Sequence, residues 1–331
     1  MAVSDKFAKV RVVIGEPDGE TRRSLRATLM ELGFVRIFAT DGLDAVTDAV
    51  HTGTVDLLIC NASLDGKSVL GMIPDIRNER LGPNPFVEVI LLLPTSTKEF
   101  ILKAIEAGVD DVLAKPFSPH QAALRIESLA RHRKSFVVTT DYSGPDRLKS
   151  DRPGRQIPPK IAVPNLLEVM SADGRTRKEL RKEVAEAIRV VTEQKVHRHA
   201  YQVGYLVDHL APLLVSLNGL DDAGPVLDRL AQVCSDIIRR LPGTPHGAID
   251  HATRTMAVMA TKLKTAPAEA QAKWLHEMPA LAAEIRKIAP PLPVKEGVDP
   301  APHSRWAVNV VDVVAAPVAP SPASAPPAPD A

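Results

Sequence analysis

The sequence predicts an α/β domain on a doubly wound, five-stranded parallel sheet, followed by an all-α helical bundle. Short, nearly unbroken apolar runs alternate with amphipathic helical stretches from Lys9 to about Lys134. A proline- and glycine-punctuated stretch at 135–175 breaks both periods, and apolar residues then recur every three or four positions as far as Ala289. Parallel strands are covered on both faces and so read as continuous apolar runs, whereas bundle helices bury one shared seam.

Taken in order, Val10–Ile14 reads as the first strand and Thr21–Leu32 as a helix carrying Leu25, Leu29 and Leu32 on one face. Val35–Ala39 is the second strand, and Asp41 opens a helix with Leu43, Val46 and Val50. Val55–Cys60, Val87–Leu93 and Asp111–Ala114 supply the remaining strands, with helices at Lys98–Ala107 and Ser118–Ala130. Five such units make a flavodoxin-like domain over 8–134, whose site lies at the carboxyl ends of the strands. Residues 135–175 read as a linker, punctuated by Asp-Tyr-Ser-Gly-Pro-Asp-Arg at 141–147 and Ile-Pro-Pro-Lys at 157–160.

The bundle is expected over 176–289. One long helix carries Leu180, Val184, Ala187 and Val191, then Val203, Leu206, Leu210, Leu213 and Leu217. Pro212 is expected to kink it and Asn218-Gly219 to end it. Further helices are expected at 225–241, 247–264 and 267–289. Residues 290–331 form a Pro/Ala-rich tail expected to be disordered, with an apolar, β-prone stretch from Trp306 to Val314 that reads equally as a docking strand or as a stretch without a partner.

Composition narrows the function classes. A formal net charge of +1 argues against bare DNA or an anionic membrane as the main partner. Cys60 and Cys234 lie in separate apolar segments without metal-ligand spacing, which argues against a disulfide or zinc site between them. The N-terminal stretch lacks the apolar core of a signal peptide, so a cytoplasmic location is expected.

Four segments then carry a resemblance. Val12-Val-Ile-Gly-Glu-Pro-Asp18, Thr40-Asp-Gly-Leu-Asp-Ala-Val46, Val55-Asp-Leu-Leu-Ile-Cys-Asn61 and Ala107-Gly-Val-Asp-Asp-Val-Leu-Ala-Lys-Pro-Phe117 resemble the CheY-like receiver domains of bacterial two-component response regulators. The likeness implies an acidic pair after the first strand that holds magnesium, a phosphoacceptor aspartate ending the third strand, a fourth-strand hydroxyl and a fifth-strand lysine. By that register Asn61 stands at the phosphoacceptor position, where an amide is no nucleophile at neutral pH. Glu16 takes the first acidic position, Pro17 the second, and Asp18 follows; Glu16 and Asp18 are left as a weak magnesium site. Thr95 falls near the switch-hydroxyl position and Lys115 at the phosphoryl-contact position. Asp65, in a shortened loop, is a poor substitute acceptor.

The resulting expectation is a non-enzymatic adaptor in phosphorelay signal transduction: a degenerate pseudo-receiver acting through protein–protein interaction. It needs no cofactor beyond weakly held magnesium, and its partner is a signalling protein or histidine-kinase pathway component, or a second copy. Two other readings stay open. His209 in Asp208-His-Leu-Ala-Pro-Leu213 fits a phosphotransfer bundle, and a transcription regulator with an unrecognised DNA-binding output remains. His197 and His199 are two apart, so on a helix they point about 200° apart and cannot share one metal. The basic run Arg175–Lys182 is interrupted by Glu179 and reads as a solvated helix start.

Overall fold

The computed structural model describes residues 5–94, 97–147, 158–171, 176–214 and 220–289. Its main sheet holds β1 (Arg11–Gly15), β2 (Arg36–Thr40), β3 (Leu57–Asn61), β6 (Glu88–Leu93) and β7 (Asp111–Ala114), all parallel in the order β2-β1-β3-β6-β7. Apart from a two-rung hairpin, β4 (Ser63–Leu64) with β5 (Lys67–Ser68), this is the flavodoxin-like strand order. Successive strand residues face opposite sides. Val12, Ile14, Leu57, Ile59, Ile90 and Leu92 pack under α1 (Gly19–Glu31) and α5 (Pro119–Arg131). Val13, Leu58, Cys60, Val89, Leu91 and Leu93 pack under α2 (Leu43–His51), α3 (Met72–Arg77) and α4 (Lys98–Ala107).

The stretch read as a linker carries structure of its own. Phe136–Val138 (β8), Ser143–Pro145 (β9) and Lys160–Ile161 (β10) form an antiparallel sheet in the order β10-β8-β9, and Leu166–Ser171 forms α6. Phe136, Val138, Ile161, Leu166, Leu167 and Met170 all join the core under α1 and α5. Gly108 shows why the approach is so close. It ends α4 with φ +95°, and a Cβ there would meet the Arg77 side chain and the Ser143 carbonyl at 3.2 Å.

Beneath this strap the amino ends of β6 and β7 enclose charge. Arg133 lies 3.7 Å from Glu88 and 3.3 Å from Asp110, while Leu167 N donates to Glu88 Oε1 at 3.2 Å and Glu88 Oε2 accepts no hydrogen bond among the described residues. Burial, reinforced by Asp110, pushes the Glu88 carboxyl up to about 7, against the opposing pull of Arg133. A raised folded-state pKa means that the native chain holds this proton more tightly than the unfolded one, so the stabilisation is present below 4.5 and is lost as pH rises through about 7. Glu88→Gln keeps the acceptor for Leu167 and removes the charge. We expect the variant to gain about 3 kcal/mol over the wild type between pH 4.5 and 8 in urea titrations. Parallel stability curves across that range would refute the assignment.

The longest helix, α7 (Arg177–Leu214), serves two cores. Leu180, Val184, Ala187 and Val191 belong to the core of the α/β domain, and Val196, Ala200, Val203, Val207 and Leu210 to the bundle core. The step from Val191 to Val196 is five residues, which swings the apolar stripe about 140° around the axis beyond a full turn. One rod thereby buries two faces in two directions. In the bundle α7 packs on α8 (Leu220–Arg240), α8 on α9 (Asp250–Lys262), α9 on α10 (Ala268–Arg286), and α10 back on α7. Pro212 lies within α7, while Asn218-Gly219, the Pro/Ala-rich tail and the Trp306–Val314 stretch lie outside the described residues.

The bundle is tied to the amino-terminal edge of the parallel sheet. Arg177 donates to Asp56 Oδ1 at 2.7 Å and Oδ2 at 2.6 Å, beside Arg11 at 2.9 Å. Burial works against the Asp56 charge, but Arg177 and Arg11 outweigh it and hold the carboxyl below its ordinary value. This clamp sits at the opposite end of the five-residue strand β3 from Asn61, roughly 15 Å away along the chain.

Candidate functional site

At the carboxyl ends of the strands, β1 delivers Glu16, β3 ends on Asn61, and Lys115 follows β7 with its amide on Leu93 O at 2.9 Å. Glu16 is fully buried and holds the site together. Its Oε2 accepts from Lys115 Nζ at 2.6 Å and from Asn61 Nδ2 at 3.1 Å; its Oε1 accepts from Asp18 N at 3.0 Å. Asn61 Oδ1 accepts from Ser63 N at 3.1 Å, which fixes the amide with its N–H toward Glu16. One buried carboxylate, one ammonium and one amide leave the pocket charge-balanced.

This arrangement answers the acidic-pair expectation. Asp18 caps α1, accepting from Thr21 N at 2.7 Å, and Thr21 holds its carboxyl below the ordinary value. Glu16 has its oxygens committed to Lys115, Asn61 and Asp18 N, and Pro17 between them offers no side-chain ligand. A magnesium ion needs several free, hard oxygens in octahedral array, and this donor set does not fit it. The weak metal site expected at Glu16 and Asp18 therefore has no free carboxylate pair behind it.

Other groups around the pocket are equally committed. Asp65 and Gly66 form the β4–β5 turn with φ +50° and +70°, and the Asp65 carboxylate accepts from Leu43 N at 2.7 Å, capping α2. Cys60 lies beside Asn61 but faces the opposite core; burial, then the Glu16 charge, pushes its thiol up to about 12. Thr95 lies outside the described residues. Sequence reasoning missed Arg22, which donates to the Glu16 and Pro17 carbonyls from the first turn of α1. The arginine was legible only as one of several solvated charges on that helix.

In the bundle, His209 is exposed on α7 with its ring stacked 5.9 Å from Tyr205. His197 and His199 do diverge. His199 Nε2 meets Asp236 Oδ2 at 3.0 Å inside the bundle, whereas His197 faces His246. Among the described residues no helix is long and apolar enough to cross a membrane.

Comparison with known proteins bears on the first domain. The family model for the response regulator receiver domain matches residues 12–127. The chain is similar to the transcriptional regulatory protein CusR of Escherichia coli strain K12, 28% identical over 137 residues, which covers 41% of this chain and 58% of the relative. It is 30% identical over 151 residues to the transcriptional regulatory protein PrrA of Mycobacterium leprae, covering 44% and 61%. With the phosphate regulon transcriptional regulatory protein PhoB of Escherichia coli strain K12 it shares 26% over 128 residues, covering 39% and 55%. The chain thus spans between 55% and 61% of the length of these relatives. Among solved structures, the beryllofluoride-activated DrrB receiver domain is 25% identical with a TM-score of 0.32, covering 37% of this chain and 98% of that one. The orphan response regulator HP1043 of H. pylori is 23% identical with a TM-score of 0.33, covering 37% and 97%.

Proposed function

Because residues 12–127 are a response-regulator receiver domain of the two-component type, we propose that the chain is a phosphorelay adaptor whose receiver takes no phosphoryl group and acts by binding proteins. The observation that carries this reading is the Asn61 amide donating to a Glu16 carboxylate that Lys115 already holds. The internal ammonium–carboxylate pair occupies the lysine that would otherwise meet a phosphoryl oxygen. The neutral Asn61 amide, its nitrogen lone pair delocalised into the carbonyl, is no nucleophile, and burial keeps the Cys60 thiol protonated. Regulation then comes through partners drawn from a histidine-kinase pathway. Phe100 on α4 and Leu124 on α5 remain exposed and offer apolar contacts on the receiver surface.

Magnesium chloride followed by beryllofluoride, added to the full chain under amide NMR, tests the proposal. We expect no saturable shifts at Glu16, Asn61 or Lys115; a saturable, magnesium-dependent response there would sink it. Asn61→Asp supplies the control. A second carboxylate about 3 Å from Glu16, sharing one lysine, destabilises the variant by about 1–2 kcal/mol without metal. Magnesium restores part of that loss in the variant and leaves the wild type unmoved.

A second reading rests on His209, whose exposed ring on a four-helix bundle is open to a phosphodonor. Acid-labile label that passes from a cognate kinase to the chain and disappears in His209→Gln would favour it over the adaptor reading.

A further inference from the structure

We propose that Glu193, His197 and His246 form a binding site for a zinc ion at the junction between receiver and bundle. The three side chains come from two elements. Glu193 and His197 lie one turn apart on α7 and so share a face, while His246 comes from the α8–α9 connection. That connection is shaped to deliver it: Gly243 adopts φ +83°, and Thr244 turns back on Leu241 O through both its amide at 3.0 Å and its hydroxyl at 2.8 Å.

The ligand geometry is the core of the argument. His197 Nε2 and His246 Nε2 are 3.1 Å apart, and Glu193 Oε1 lies 3.9 Å from His246 Nε2. One ligand atom from each of the three residues falls within 4.8 Å of the other two. Tetrahedral zinc with bonds of about 2.0–2.1 Å places its ligand atoms roughly 3.3–3.4 Å apart, so the two imidazoles part by a few tenths of an ångström and a rotamer adjustment of the Glu193 carboxylate, by roughly 0.5 to 1.5 Å, completes the set. The two rings meet edge to face, with centroids 4.9 Å apart. No hydrogen bond to His197 Nδ1 orients its ring from behind among the described residues, so the contact at Nε2 sets how it faces.

Donor chemistry selects the metal class. Two imidazoles and one carboxylate suit a borderline divalent ion such as zinc rather than magnesium or calcium, which prefer oxygen throughout. All three residues are partly exposed, which leaves the fourth position to water. The site also has a defined mechanical position. Glu193 lies between Val191, the last α7 residue in the receiver-side core, and Val196, the first in the bundle core. An ion there ties α7 to the α8–α9 connection where the apolar stripe swings between cores.

Zinc chloride titrated into tag-free, chelator-treated full chain by calorimetry tests the proposal. We expect one saturating equivalent, with affinity weakened roughly tenfold or more in both His197→Gln and His246→Gln and unchanged in His209→Gln. In the wild type, 15N spectra of the imidazoles then show saturating zinc-dependent shifts at His197 and His246, a readout that survives if either variant fails to fold. Absence of zinc binding overturns the proposal, as does binding that leaves both rings unshifted or is lost in His209→Gln. Such results leave the 3.1 Å contact as a hydrogen bond between two histidines.

Discussion

Arg77→Met destabilises the chain by about 3–5 kcal/mol, the largest single-residue effect we expect in the first domain. The Arg77 guanidinium is fully buried and ends on four acceptors: Gly108 O at 2.8 Å, Pro85 O at 2.6 Å, Val87 O at 2.7 Å and Asp110 Oδ2 at 2.7 Å. It also lies over the Phe136 ring at 5.3 Å, which joins α3 to the β8–β10 strap. Methionine fills similar volume but satisfies none of these acceptors, so three carbonyls lose this donor and Asp110 keeps its buried charge with Arg133, at 3.3 Å, as its remaining ion-pair partner among the described residues. The double variant Arg77→Met with Asp110→Asn removes that stranded charge while its amide oxygen still accepts from Val89 N. It therefore costs at least 1 kcal/mol less than the two single changes added together. Urea midpoints at one pH decide it: a single-variant loss under 1 kcal/mol, or strict additivity, would show that the cluster is not one coupled unit.

Much of the α/β fold was legible because its signal is local. Each main-sheet strand lies within two residues of its apolar run, and α4 spans Lys98–Ala107 as expected. Asn61 and Lys115 could be placed from strand patterning and from the likeness of their flanking segments, and the structure sets both on Glu16. What stayed hidden depends on distant partners. Arg77, in Met-Ile-Pro-Asp-Ile-Arg, reads as an ordinary helix-end cation; its burial follows from Asp110 and the β8–β9 strap, more than thirty residues away. Glu88 likewise reads as the solvated start of a strand and is covered only because α6 and Arg133 fold over it. The strap itself was masked by its prolines and glycines, which break periodicity whether or not a segment packs. In α7 the five-residue step from Val191 to Val196 is present in the sequence, yet a step of that kind has meaning only once two separate cores are seen.

In the bundle, Asp236→Ala is expected to cost about 3–4 kcal/mol, because its carboxylate organises the polar layer that joins α7, α8 and the receiver. Asp236 accepts from His199 Nε2 at 3.0 Å, Arg240 Nε at 2.9 Å and Arg239 Nη2 at 2.5 Å. Arg240, 3% exposed, reaches onward to Glu79 Oε1 at 3.0 Å and Asn78 O at 3.2 Å, between α3 and β6. Glu79 stands in the left-handed region at φ +59°, a strain of about 1–2 kcal/mol that the ion pair with Arg240 helps to offset. Removing Asp236 leaves His199 buried without that partner and releases one edge of the Arg240 guanidinium, so the loss spreads from the bundle into the receiver. Burial opposes the Asp236 charge, but the His199 hydrogen bond and the two arginines outweigh it and hold the carboxyl far below its ordinary 3.8. A depressed folded-state pKa gives stability that is full above 3.8 and drains away as pH falls below it, so the gap between wild type and Asp236→Ala is widest near neutrality and narrows in acid. Hydrogen exchange separates this coupling from a purely local defect. Asp236→Ala should speed exchange both at the carboxyl end of α8 and at Glu79–Leu81, whereas Glu79→Ala, which removes the ion pair to the receiver but leaves Arg240 on Asn78 O and on Asp236, should cost about 1 kcal/mol and leave α8 protected. If exchange in Asp236→Ala rises within α8 alone, the bundle and the receiver are not joined through this layer.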